Sequence, residues 1–392
     1  MHTSADVVVV GGGLVGTSVA YELACEGLSV TLVDASHLGR ASDAGAGIVS
    51  PETFHDRDEE WFAFALDAAA HLLALVPRLA EDGVDAGPEV FARCGSLAVA
   101  LAEHEDPWFT EVLDLARARS PDVTEIAPAE ARELFPPLGE LWRAMYSPAA
   151  ARLDGRSLCR AVGLAAKRRG ATHLDSEAMG IDERDGRVTA VRLADGVVGC
   201  GALVLAGGAW SAGAASWLGV GLPVTPTKGQ IVHVALEGNG ASDAVATTSG
   251  LWPIVQPILN FYLVPWPGGR VACGGTFEAE AGFDTRPTAG GVRDLLRECV
   301  KIAPGLSAAT FLEVRVGLRP TSADDRPFLG RLSRLSNVHV CTGHGANGLH
   351  LGPYSAALVA AGIVGEPPAE LARYAADRLS GGYRGGTAAT SS

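Results

Sequence analysis

Two groups of residues in this chain have types and spacings that can do chemistry. The first is Gly11, Gly13 and Gly16, spaced Gly-x-Gly-x-x-Gly after the run Val7-Val8-Val9-Val10, with Asp34 closing a second apolar run further on. A buried strand that feeds a helix through such glycines brings backbone N–H groups and the positive end of the helix dipole against a pyrophosphate. An acid ending the next strand accepts hydrogen bonds from a ribose diol and disfavours a 2′-phosphate. The second group centres on Arg319. In residues 313–319, Val314, Val316 and Leu318 fall on one strand face and Arg315, Gly317 and Arg319 on the other, and Pro320 is expected to end strand pairing. A guanidinium beside a glycine that clears space suits bidentate capture of a carboxylate; a surface or interdomain salt bridge is the alternative. The fingerprint does not choose between NAD and FAD, because both carry an adenosine diphosphate half.

Positioning these residues requires a βαβ unit at the N-terminus. Gly11 permits the tight turn, Gly13 the close approach of backbone to pyrophosphate, and Gly16 the packing of a helix over 17–26 on its strand; the second strand covers 29–33 and delivers Asp34. The small-residue loop 39–50 follows, and its Arg40, Ala41, Ser42, Ala46, Gly47 and Ile48 are placed to line a diphosphate and ring, with a plain connection as the alternative. A helix is expected over 59–79. Residues 87–150 change character, with Pro and acid-rich turns between short elements. From 154 the first character returns: a helix over 157–169, a hairpin around Asp195-Gly196, and a buried strand ending in Ala206-Gly207-Gly208, which puts backbone beside a ligand. Residues 223–318 alternate strands and turns around one helix, 291–302. A strand over 337–342, a glycine turn over 343–348 and a helix over 354–364 close the fold; 381–392 is small, polar and expected to be disordered. The pattern is α/β plus α+β: a Rossmann-like domain made of 1–86, 151–215 and 319–380, with an antiparallel β-sheet substrate domain inserted as 87–150 and 216–318.

Composition narrows the partners. At 392 residues the chain exceeds one ordinary core, and its net charge of −14, without a run of Lys or Arg, argues against nucleic acid and anionic membrane surfaces. Seven cysteines without CxxC spacing or a Cys/His cluster point to a reduced compartment and to no metal site. The first strand begins too early for a signal peptide, and the apolar stretch 356–364 is far short of a bilayer span, so a cytoplasmic chain without an integral membrane segment is expected.

Six ordered motifs resemble one family: GGGLVGTSVAYELACEG with VTLVDAS, GRASDAGAGIVSP, LVLAGGAWS with LPVTPTKGQ, YLVPWPGGRVACGGT, VGLRPTSADDRPFLG and GHGANGLHLGP. They resemble the D-amino acid oxidase-like FAD oxidoreductases, among which glycine oxidase and the bacterial D-amino acid dehydrogenases are similar members. The resemblance implies an extended FAD. Leu14 and Val15 would face its pyrophosphate, Asp34 and Ala35 its ribose, Ala178 its adenine, and Ala41, Ser42, Ala46, Gly47 and Ile48 its middle and ring. His344, Gly345, Ala346, Asn347, Gly348 and Leu349 would meet the ring, and Ala206, Gly207 and Trp210 would border the same cavity. Covalently flavinylated members carry a cysteine near the stretch that reads Gly317-Leu318-Arg319-Pro320 here, so noncovalent FAD is implied.

The same resemblance gives Arg319 the substrate carboxylate and Tyr262, on a strand face with Asn260 and Val264, a hydrogen bond to it; a core tyrosine is the alternative. The implied reaction is hydride transfer from the substrate Cα to flavin N5, giving an imine that hydrolyses to a keto acid and ammonia or amine. A helix starting near Gly352 would stabilise negative charge on the ring. No acid or base is demanded, and His344 is read as structural or flavin-contacting. Ala346 stands where glycine oxidase-like members carry a basic residue, and Asn260 and Phe261 replace a more polar lead-in, so the substrate expected is a D-amino acid or secondary amino acid larger than glycine. The electron acceptor is oxygen or a quinone or carrier. An NAD-dependent dehydrogenase and a flavoprotein module for tRNA modification are the rival readings.

Overall fold

The computed structural model describes residues 3–53, 58–236, 247–257 and 261–379. Asn260 and the tail 381–392 lie outside the described residues.

Thr3–Val10 sits at the centre of the first sheet, parallel to Val30–Asp34 on one side and to Gly196–Leu205 on the other. Thr172–Asp175 and Val338–Thr342 extend this parallel core. Val7, Val8 and Val9 are at most 2% exposed, which is why an unbroken valine run suits a strand covered on both faces. Four helices, Leu14–Cys25, Glu59–Glu81, Gly155–Arg168 and Gly348–Val364, pack one face through residues such as Leu23, Leu72, Val162 and Val359. The other face is closed by Val8, Leu203, Leu205 and Val338 with the meander strands Ala178–Arg184 and Arg187–Leu193.

The second sheet runs in the order Thr310–Ser322, Val224–Ala235, Arg270–Gly274, Tyr262–Pro265, Ile254–Pro257, Ser96–Ala100, Arg143–Ser147 and Thr124–Ile126. Its neighbours are antiparallel except where Ile254–Pro257 meets Ser96–Ala100 in parallel. Helix Ala289–Ile302 covers one face with Leu295, Cys299 and Ile302. Helix Asp106–Arg119 covers the far end of the other face, and the rest of that face looks toward the first sheet. The Rossmann-like domain with an inserted β-sheet domain is therefore the architecture of the molecule.

Several local expectations change. Thr310–Ser322 is one continuous strand paired with Val224–Ala235, with a register shift at His233/Val234 and with Pro320 opposite Pro226, so a boundary at 318/319 cuts a strand and Pro320 does not end pairing. The strand lies at the sheet edge, where a missing N–H costs no ladder bond. The hairpin arm after Asp195 and the strand ending at Leu205 are a single strand, Gly196–Leu205. Loop 39–50 contains a helical turn, Ala41–Ala44, and a two-residue strand, Ile48–Val49, which pairs with Ala151–Leu153 in a small third sheet between the two large ones. The last long helix starts at Gly348 instead of near Gly352; Pro353, in its second turn, forfeits one ladder bond without ending a helix whose neighbouring residues are buried. Among the described residues one helix, Glu59–Glu81, has the length and composition to cross a bilayer; its Trp61, Phe64, Leu72, Leu75 and Leu79 lie in the core.

Candidate active site

A cavity of about 850 Å³ opens between the C-terminal ends of the parallel strands and the inner face of the second sheet. At one end the backbone is shaped by glycine. A Cβ on Gly11, which has φ +112°, would stand 2.4 Å from Ala206 O, and one on Gly16 would stand 1.9 Å from Gly11 O. Gly12 is equally constrained: a Cβ there would meet Asp34 Cγ at 2.6 Å. The N-terminus of Leu14–Cys25 faces the cavity beyond these glycines, and Leu14 N donates to Ser42 Oγ at 2.9 Å. Asp34 lines the same end, 7% exposed, and accepts from Arg40 Nη1 at 2.7 Å; Arg40 Nε also donates to Asp43 at 2.9 Å. Trp210 lines the cavity while its ring stacks on His37 at 5.0 Å between centroids.

At the opposite end, the Tyr262 hydroxyl and the Arg319 guanidinium converge over Gly274 and Gly275. A Cβ on Gly275 would lie 2.8 Å from Tyr262 Oη and 3.4 Å from Arg319 Nη2. Arg319 reaches this point across Gly229, where any Cβ would meet its Nη1 at 2.4 Å, and Nη1 donates to Thr276 O at 3.0 Å. Among the described residues no carboxylate pairs with Arg319. Burial pushes the Tyr262 hydroxyl up to about 12, with Arg319 opposing, so it stays protonated and able to donate. Burial also pushes His344 down to about 4, and its Nε2 has no hydrogen-bond partner among the described residues. His350 is likewise held near 4 by burial; its Nε2 lies 2.8 Å from Ala65 O and, facing a carbonyl, carries the proton.

The structure brings the sequence-derived residues together. Gly11, Gly13, Leu14, Val15, Asp34, Ala35, Arg40, Ala41, Ser42, Ala46, Gly47, Ile48 and Ala178 line the cavity, as do Ala206, Gly207, Trp210, Tyr262, Arg319 and the stretch His344 to Leu349 with Ala346. Gly16 does not; it serves the packing of helix on strand. Sequence reasoning missed Gly12, hidden because the fingerprint counts only its neighbours. It also missed Trp108, Val112 and Gln256, which line the cavity from the inserted segments. Trp108 and Val112 stand one helical turn apart, a spacing that signals only packing.

The family model described as FAD dependent oxidoreductase (DAO) matches residues 6–361. The chain belongs to this family. Glycine oxidase of Pseudomonas putida is 31% identical to this FAD dependent oxidoreductase over 376 residues, spanning 93% of this chain and 96% of that protein. The crystal structure of iminodiacetate oxidase from Chelativorans sp. BNC1 aligns with a TM-score of 0.86 at 33% identity, over 94% of this chain and 98% of that one. That of glycine oxidase from Geobacillus kaustophilus aligns with a TM-score of 0.85 at 28% identity, over 96% and 99%. The residues present fit FAD: the Gly11, Gly12 and Gly16 cradle has no room for side chains, a helix N-terminus faces it, and the cavity continues from there to Arg319. The NAD reading falls with this membership.

Proposed function

We propose that this FAD dependent oxidoreductase oxidises an amino acid, either a D-amino acid or a secondary amino acid, at its CH–N bond. The observation that carries the reading is a guanidinium without a carboxylate partner among the described residues, meeting a protonated tyrosine hydroxyl at the end of the cavity remote from the nucleotide cradle. Bound in that cavity, FAD supplies at N5 the acceptor for the hydride that leaves the substrate Cα. Arg319 holds the substrate carboxylate through paired N–H donors, and Tyr262 donates a third bond, so that the reacting carbon is fixed. The reaction demands no side-chain base: the substrate amine loses its proton to solvent, and His344, pushed down to about 4 by burial, keeps its place in the cavity wall. The imine product hydrolyses in water to a keto acid and ammonia or an amine. The N-terminus of Gly348–Val364 turns its partial positive charge toward the cavity.

Noncovalent attachment is supported by the absence of cysteine from 317–320. Ala346 leaves the last glycine loop without a cation and with space, which favours substrates larger than glycine. Electrons pass onward to oxygen or to a quinone or carrier. Replacing Arg319 with Ala removes a charge-assisted bidentate contact and should raise KM by roughly 100-fold while the flavin spectrum is retained. An unchanged KM would remove Arg319 from the site.

A further inference from the structure

Resting on the amino-acid reading above, we propose that Gln256 sets substrate choice by binding a second acceptor oxygen, a carbonyl or carboxylate carried on the substrate's side chain or on its nitrogen substituent. Val255 pairs with Leu263, which sets Gln256 beside Tyr262, and Gln256 pairs with Ala98 on the strand beyond. Residues in one such row present their side chains on the same face of the sheet. Tyr262, Gln256 and Ala98 all line the cavity, so this row is its floor under the substrate end.

Ala98 and Tyr262 flank Gln256 in this row, and the apolar Trp108, Val112, Pro257 and Phe261 line the same cavity. The amide nitrogen of Gln256 is buried and has no hydrogen-bond partner among the described residues. An amide N–H pair left in that state costs free energy that a ligand oxygen recovers, and rotation about the last side-chain torsion turns it toward the cavity. The substrate carboxylate is already held by Tyr262 and Arg319. The second acceptor therefore sits one to two strand spacings away, about 5–10 Å, which is the span of an amino acid carrying a second carbonyl group. The remaining arginine lining the cavity among the described residues, Arg40, is held at the nucleotide end by Asp34 and Asp43. A neutral amide thus takes an uncharged carbonyl as well as a carboxylate.

The test compares matched pairs on the holoenzyme: D-glutamine against D-norleucine for an acceptor on the side chain, and iminodiacetate against N-propylglycine for one on nitrogen. In at least one pair the acceptor-bearing member should exceed its alkyl partner about tenfold or more in kcat/KM, mainly through KM, and Gln256→Met should bring that ratio close to one. The pair that shows the preference identifies which arm of the substrate Gln256 reads. Equal or better turnover of the alkyl member in both pairs, or a ratio that survives Gln256→Met, overturns the proposal. The wild-type ratio decides the matter if the variant does not retain its flavin. Reduction by alkyl members without any preference defeats only the role of Gln256, whereas no reduction by any of the four, nor by other D-amino acids, glycine, sarcosine or proline, defeats the amino-acid reading with it.

Discussion

His233, His339, His344 and His350 are all buried, and burial holds the first near 3 and the other three near 4. An unfolded histidine titrates at about 6.5. Below that pH the unfolded chain binds protons that the folded one refuses, so the stability these residues permit is complete above about pH 6.5 and is lost as pH falls toward 4, at roughly 1.4 kcal/mol per pH unit for each. Carboxylates held low by arginines, such as Asp324 beside Arg378, add to the loss only at more acid pH. Thermal melts should show Tm falling steeply from pH 6.5 to 4.5; a flat Tm over that window would mean that these histidines are not buried neutral. Residues differ in how far the sequence disclosed them. Gly11, Gly13, Gly16 and Asp34 were singled out by residue type at fixed spacing, and Arg319 by strand alternation together with the family resemblance. Gln256 was not, since its neighbour Tyr262 is reached by strand pairing and not along the chain.

Elements were legible where periodicity and burial agree. The valine strand, the helix rich in alanine and leucine and the closing helix all follow their patterns, because each buries a face or both faces against the first sheet. Boundaries failed where tertiary context outweighs a local signal: an edge strand tolerates Pro320, and a buried helix absorbs Pro353. The fold of loop 39–50 was equally hidden, since Ile48–Val49 becomes a strand only by pairing with Ala151–Leu153, a hundred residues on. The junction of strand and helix at Gly11 to Gly16 is the element on which cofactor binding rests. Gly16→Ala puts a methyl group 1.9 Å from Gly11 O, so the helix must move off its strand. This variant should purify with little or no bound flavin, measured as the ratio of visible to ultraviolet absorbance; full occupancy would show that the helix has room to shift.

At the scale of the whole molecule, two sheets share one cavity. The first contributes the glycine cradle and Asp34 from the ends of parallel strands; the second contributes a floor crossed by Arg319, Tyr262 and Gln256. Because the chain passes between the sheets several times, residues three hundred positions apart in sequence face one space, and Ile48–Val49, Phe91–Arg93 and Ala151–Leu153 from three of its segments pair in the small sheet. The arrangement separates the glycine cradle, which suits FAD, from the far end of the cavity, where Arg319 and Tyr262 meet. It also explains why the family was readable from six ordered motifs while the substrate was not: the motifs supply the glycine cradle, Tyr262 and Arg319, whereas Trp108, Val112 and Gln256 line the cavity from inserted segments outside them. In the proposed function, the amine placed over the cofactor belongs to an amino acid. Anaerobic addition of D-amino acids, glycine, sarcosine, iminodiacetate and proline to the purified holoenzyme tests it most directly. Loss of the oxidised flavin absorbance with at least one of them, weakened by Arg319→Ala, is the predicted result; a flavin that no amino acid bleaches while dithionite reduces it would contradict the account.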